Sequence, residues 1–398
     1  MKKCSYKKRY RTVLIALKNR SGKRGLKSAH LSKELELQYR KIWKGVNCWV
    51  DREKNNGLTI TGCERFVRPP KNSVAIVLPE SMDFNTNYDS TVQYVTAIRK
   101  LVRVLDLYKG RVIPSKAYKL GSVNFSQLKN ISTSAALVLT AEISKWDHSI
   151  RRRLVPYVDN WCEEIYDKFT QLGFFDLFEN KPDRAANNCT VKSDYHIVKY
   201  VKGKVGDKEE ASERKRYLKS ALSNIVGSKV PKWTILHSGL SEAVTNVTHH
   251  AYPDLHKYQD PSWYLTGSYD RNSGVMKVVF YDQGIGIPNS LPGSNVWERV
   301  LSYFSKLKLP MAEQAKHSTL LKAAVSIERT RTGSNDRGKG LQDLLEFINE
   351  IGAGHMSLMS YHGLYKYTIE KEMAPEVKSE SFRRPLCGTL IIWTVNLL

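Results

Sequence analysis

The sequence predicts an α/β protein, and three observations support that class. Over residues 71–148, short apolar runs rich in β-branched residues alternate with apolar runs at helical spacing. Beyond Pro231 a helical pattern, a hairpin pattern, a second helical pattern and further strand-like runs succeed one another. No repeat or low-complexity tract competes with this alternation. The 398 residues allow two or three domains. Four regions are expected: a basic segment over 1–70, a small α/β domain over 71–148, a helical connector with a polar loop over 149–230, and a second α/β domain over 231–398.

Within the basic segment, LSKELELQYRKIW (31–43) has helical spacing, and Arg68, Pro69 and Pro70 close the segment. SVAIVLPE (73–80) reads as a buried strand and VQYVTAIRKLVRVLDLY (92–108) as a helix. Residues 121–146 read as a strand, a polar turn at 132–134 and an Ala/Leu-rich helix. Residues 149–230 look helical and charged, with 202–219 polar and basic enough for a mobile loop or linker. TILHSGLSEAVTNVTHH (234–250) places Leu236, Leu240, Ala243 and Val247 on one helical stripe, which Pro253 ends. WYLTGSYD and VMKVVFYD form a β-hairpin across a turn at 271–274. LQDLLEFINEI reads as a helix, and HMSLMSYHG, LYKYTIE and GTLIIWTV as three strands.

The chain is strongly basic, with 63 Lys or Arg against 39 Asp or Glu and a net charge of +24. Residues 1–50 hold 15 of the cations and only 2 acids, a balance of +13. Such a segment attracts a nucleic acid or an acidic protein, or serves as a solubilising tail. The six cysteines are scattered, with no CxxC pair and no histidine at finger spacing, so reduced thiols in the cytoplasm are expected and no structural zinc. TVLIAL (12–17) is too short for a signal-peptide core, and no run approaches the ~20 apolar residues that span a bilayer. No membrane partner is expected.

Three short stretches bear chemistry. Glu242 and Asn246, four residues apart, share one helix face. DQGIGIP (282–288) puts Asp282 at the end of an apolar strand, where a carboxylate can accept from an exocyclic amine and glycines allow close backbone approach. GSNDRGKGLQ (333–342) matches part of a Walker loop through Gly333, Gly338 and Lys339, but Gly340 replaces the hydroxyl residue and polar SIERTRT replaces the preceding strand. A good helix does follow, so Gly338 and Gly340 suit a phosphate site at a helix start.

Taken in order, these residues resemble the ATP-binding domain of gyrase B subunits, heat-shock-ninety chaperones, histidine kinases and mismatch-repair ATPases, the GHKL superfamily. The matching boxes are SEAVTNVTHHAY, DQGIGIP, DRGKGL and the closing Gly388–Thr389 pair, covering about residues 231–398. The resemblance implies a two-layer α/β sandwich, a mixed sheet covered by helices, that binds ATP and Mg²⁺. It implies that Asn246 holds Mg²⁺, that Glu242 activates the attacking water or hydroxyl, and that Asp282 reads the adenine amine with support from Thr389. Gly284 and Gly286 would shape the adenine side, Gly338 and Gly340 would hold the phosphates, and Arg337 and Lys339 would contact them. Residues 289–337 would form a mobile lid. Asp336 departs from the family, whose second glycine box often begins with glycine.

EAVTN followed by HAY looks most like the anti-sigma-factor serine kinases, which phosphorylate a STAS domain just before a helix. Residues 71–148 are similar to such a domain at NFSQLKNISTSAALVL, with Ser132 and Ala135 in place of the usual Asp and Gly. This makes Thr133 and Ser134 candidate phosphoacceptors, against the alternative that Ser132 or Thr133 simply caps the helix. Three functions remain open: an ATPase acting as a nucleotide-dependent switch in a bacterial-type regulatory or defence system, a Ser/Thr protein kinase, and a nucleic-acid-binding protein with a nucleotide sensor. A homodimer is a further expected partner, since the superfamily often dimerises.

Overall fold

Strands that read as unbroken apolar runs are buried on both faces, and this sets the architecture. The computed structural model of the chain describes residues 33–62, 72–182, 194–253, 260–294, 296–329, 341, 343–370 and 373–398. The elements of the first part are α1 (Lys33–Asn55), β1 (Ile60–Gly62), β2 (Ser73–Val77), β3 (Ser81–Met82), α2 (Tyr88–Leu107), β4 (Lys119–Asn124), β5 (Asn130–Ile131), α3 (Thr133–Ser144), α4 (His148–Arg153) and α5 (Glu163–Leu172). There follow β6 (Tyr195–Ile197), β7 (Val201–Lys204), α6 (Lys208–Val226), α7 (Trp233–Asn246), β8 (Ser262–Asp270), β9 (Val275–Asp282), α8 (Ile287–Ser290), α9 (Trp297–Lys306), α10 (Met311–Gln314), α11 (His317–Arg329), α12 (Asp343–Ile351), β10 (Gly354–Ile369) and β11 (Glu376–Asn396). The protein is mixed α/β.

In the first part β2 pairs antiparallel with β1 and parallel with β4, and α2 makes the crossover between the parallel strands. The expected basic segment is not separate throughout, because Val46 and Val50 of α1 are buried in the same core as α2. Every residue of α3 is buried, as its Ala/Leu-rich sequence requires. Ser132 caps this helix, its Oγ accepting from the Ala135 N–H at 3.3 Å. Thr133 is only 1 % exposed and donates to Ser268 Oγ at 2.9 Å, while buried Ser134 lies against Ser132 Oγ. Phosphoryl transfer to Thr133 or Ser134 would require the start of α3 to leave the core.

The larger sheet runs β10-β11-β9-β8-β6, with β7 also on β8. All its pairings among the described residues are antiparallel, which corrects the expected mixed sheet. Residues 202–219 are also corrected: they form most of β7 and of α6, not a loop. Asp207 caps α6 by accepting from Glu210 N–H, and Gly227 ends it at φ +81°. Only Ala211, Lys215, Leu218 and Leu222 of α6 are buried, so its composition mimics a linker. The three strands expected at the end are two long ones. Register shifts around Tyr361 and Gly363 bend β10 without a turn, and β11 begins with polar, exposed residues that hide its pattern.

Alternation along the strands builds two cores. Met276, Val278 and Phe280 of β9 and Ile391 and Trp393 of β11 face α7 and α12, with Leu236, Leu240, Leu344 and Phe347. Val279, Tyr281, Leu390 and Ile392 face the other way, into the core that contains α2 and α3. The sheet therefore has helices on both faces, whereas a two-layer sandwich was expected. The described part of the expected mobile lid, 289–294 and 296–329, includes α9 and α11, whose Val300, Phe304, Leu321 and Val325 are buried in the same core as α7 and α12. Among the described residues no helix is long and apolar enough to cross a membrane.

Candidate functional site

The period of two along β9 continues past Phe280 to Asp282, so this carboxyl faces the α7 layer. On β11 Thr389 precedes Ile391 on the same face, and the register sets Thr389 directly opposite Asp282. Over them lies α7, whose Leu236, Leu240 and Ala243 are buried and whose last residue is Asn246. The space between is a cavity of about 250 Å³ lined by Asn246, Asp282, Gly286, Thr389, Phe280 and Ile391. Ala324 of α11 and Leu341, just before α12, also line it.

Asp282 is 2 % exposed, and burial pushes its carboxyl up to about 6 from the usual 3.8. The Gly284 N–H, donating at 2.7 Å, draws the value back, as do Lys145 and Thr389. With its value near 6 this buried acceptor is mostly ionised at neutral pH, and among the described residues it has no salt bridge.

Two glycines shape the loop. Gly388 has φ +81°, and a Cβ there would stand 2.0 Å from the Asp282 carbonyl oxygen. At Gly286, with φ +79°, a Cβ would meet Ser360 Oγ at 2.7 Å. Gly284 does not itself line this cavity: it abuts Ala251, which does, and lines a second cavity.

At the other end of the first cavity, α7 passes into a π-helical turn, Val247–Ala251, whose last carbonyl accepts from Ile285 N–H at 2.9 Å. His249 and His250 of that turn line the cavity. Glu242, one turn before Asn246, is partly buried and lies outside the lining. Burial and then the Asp343 carboxylate hold its carboxyl above the ordinary glutamate value. Asp343 Oδ2 accepts from Ser238 Oγ at 2.7 Å. Asp343 Oδ1 is buried without a hydrogen-bond partner among the described residues, and Asn246 Nδ2 has none at full hydrogen-bond geometry, although the Asn246 side chain draws the Glu242 carboxyl back towards its ordinary value. Water, an ion or a ligand can satisfy such atoms.

The structure thus brings Asn246, Asp282, Gly286 and Thr389 around one space, with Glu242 a turn away. Arg337, Gly338, Lys339 and Gly340 lie outside the described residues. Sequence reasoning missed Asp343, although its place just after the second glycine box was a usable signal. It also missed Ser360, whose Oγ donates to the Gly388 carbonyl at 3.0 Å and accepts from Ile287 N–H at 2.9 Å, pinning the loop to β11. Nothing in SLMSYHG distinguishes that serine.

No family model matches the sequence, and no curated protein matches it. The chemistry of the cavity therefore decides what it can take. Apolar walls with one buried carboxylate can accommodate an apolar group that bears an N–H donor. An amide beside two carboxyl groups has the chemistry to hold a hard cation.

Proposed function

We propose that the chain binds ATP with Mg²⁺ in this cavity and acts as an ATP-dependent conformational switch. In this reading residues from β6 onward form a GHKL-type ATPase domain, and the preceding α/β part is STAS-like. The main support is the buried Asp282 carboxylate, set opposite Thr389 and facing an apolar cavity closed by Asn246. An adenine ring fits that wall, its exocyclic amine donating to Asp282.

The residues at the other end also fit the rest of the ligand. The Asn246 amide, at the cavity wall, can offer oxygen to a hard cation or N–H to a phosphate oxygen according to its orientation. Bound Mg²⁺ would neutralise charge on the phosphates during transfer. Glu242, its affinity for protons raised by burial and by Asp343, is suited to take a proton from an attacking water. The burial of Thr133 and Ser134 directs any phosphotransfer to another molecule rather than to the chain's own α3.

Calorimetry with a non-hydrolysable ATP analogue tests the assignment. The wild type should bind it, Asn246→Ala should abolish binding, and Glu242→Gln should bind normally but lose turnover. Tight binding of the analogue by Asn246→Ala overturns the reading.

A further inference from the structure

On the far side of the loop after β9 lies a second cavity of about 880 Å³, between α1, α2 and β11. Gly284, Ile285 and Asn289 of that loop, and Gly388, contribute to its wall. Its remaining lining is dominated by cations: Arg52 of α1, Arg99, Lys100 and Arg103 of α2, and Arg383 and Arg384 of β11. Positions 99, 100 and 103 fall on one side of a helix, so α2 presents three charges to one space.

Two of the six are neutralised within the fold. Arg384 bonds the buried Glu53, and Arg99 donates to Glu142 through Nε at 2.8 Å and Nη2 at 2.5 Å. Among the described residues Arg52 approaches a carboxylate only at Glu53, whose Oε1 lies at 3.4 Å and which Arg384 already holds. For Lys100, Arg103 and Arg383 no carboxylate lies at ion-pair distance among the described residues. Lys100 Nζ stands over the Trp49 ring, 5.4 Å from its centre. Burial, and then Arg103, Arg99 and Arg52, hold the Lys100 ammonium below the ordinary lysine value. Like charges gathered in a concave space repel unless an anion joins them. Tyr361 in the same wall adopts φ +55°, a left-handed conformation rare for an aromatic residue and typical of strained functional positions.

We propose that this cleft binds a phosphorylated small molecule of nucleotide size with two or more phosphates, held by Arg52, Lys100, Arg103 and Arg383 against Trp49. Arginine forks match phosphate oxygens two at a time, and an indole face suits a ring. The volume falls within the roughly 300–1,000 Å³ of small-molecule sites. The cations converge on one cleft, with Arg52, Arg103 and Arg383 exposed at its mouth, where a nucleic acid needs a stripe that follows its backbone. The site is distinct from the ATP cavity and stands whether or not that cavity takes ATP.

The test is calorimetry of inorganic tripolyphosphate, without Mg²⁺, on the full chain. The wild type should bind one equivalent. The triple variant Lys100→Gln, Arg103→Gln, Arg383→Gln should weaken binding by about tenfold per cation removed, with an unchanged melting temperature. Arg103→Glu alone, at an exposed position, should weaken it by at least about tenfold. Asp282→Asn in the other cavity, and Lys306→Gln with Lys322→Gln at exposed sites elsewhere, should bind as the wild type. The proposal is overturned by absence of wild-type binding, by undiminished binding in the triple variant, by loss in the Asp282 variant, or by a single-stranded oligonucleotide that outcompetes tripolyphosphate at the cleft residues.

Discussion

The two cavities share a wall yet differ in every other respect. One is mainly apolar with a single buried carboxylate, and the other is wider and lined by arginine and lysine. Gly388 lines the second and its neighbour Thr389 the first, and the loop after Asp282 separates them. The difference shows how one turn of backbone can serve opposite chemistries. Alternation along β9 and β11 sends Asp282 and Thr389 to one side, while the polar, kinked start of β11 sends Arg383 and Arg384 to the other.

The largest effect is expected at the common wall. Gly388→Ala places a methyl 2.0 Å from the Asp282 carbonyl at a left-handed φ, so the fold should lose about 3–5 kcal/mol in chemical denaturation, and ligands of both cavities should bind less well. Unchanged stability would mean that the wall is not shared as described.

Asp282→Asn should separate the cavities. Analogue affinity should fall by about 100-fold, because an amide presents a donor where the carboxylate accepted, while tripolyphosphate binding stays. The same variant has a pH signature. The folded chain holds the Asp282 proton up to about 6 against 3.8 unfolded, so this group favours folding at low pH and that contribution is lost as pH rises from about 4 through 6. The loss amounts to about 3 kcal/mol. Asp282→Asn should remove that slope and leave the protein more stable at neutral pH, as unfolding curves at several pH values would show. Wild-type affinity for the analogue should weaken as pH falls below about 6.

Ser360→Ala removes the pin between Ile287 and Gly388 and should cost about 1–2 kcal/mol, with a several-fold loss of analogue affinity measured by calorimetry. Ser132→Ala removes a helix cap remote from both cavities. It should cost about 1 kcal/mol in thermal unfolding and change neither affinity.

Much of this was legible in the sequence because it is local. The α7 stripe, the β8–β9 hairpin and the capping serine of α3 each follow from periodicity or turn chemistry, and Asn246, Asp282 and Thr389 were singled out before their proximity was visible. What was hidden depends on long-range pairing. Nothing in residues 201–204 announces that they pair with a strand that begins only at Ser262. Nor does the charge of residues 376–384 reveal a strand partner in β10. The basic cleft is assembled from α1, α2 and β11, three segments far apart in the chain, and no linear motif marks it.

The placement of α2 and α3 on the back of the large sheet also bears on how the chain can be divided. A fragment starting at Pro231 would leave Tyr264, Val279, Tyr281, Leu390 and Ile392 without cover and would remove β6 and β7 from the sheet edge. The halves are therefore not interchangeable cassettes, and grafting either onto a foreign partner would demand a replacement surface shaped like the one it gave up.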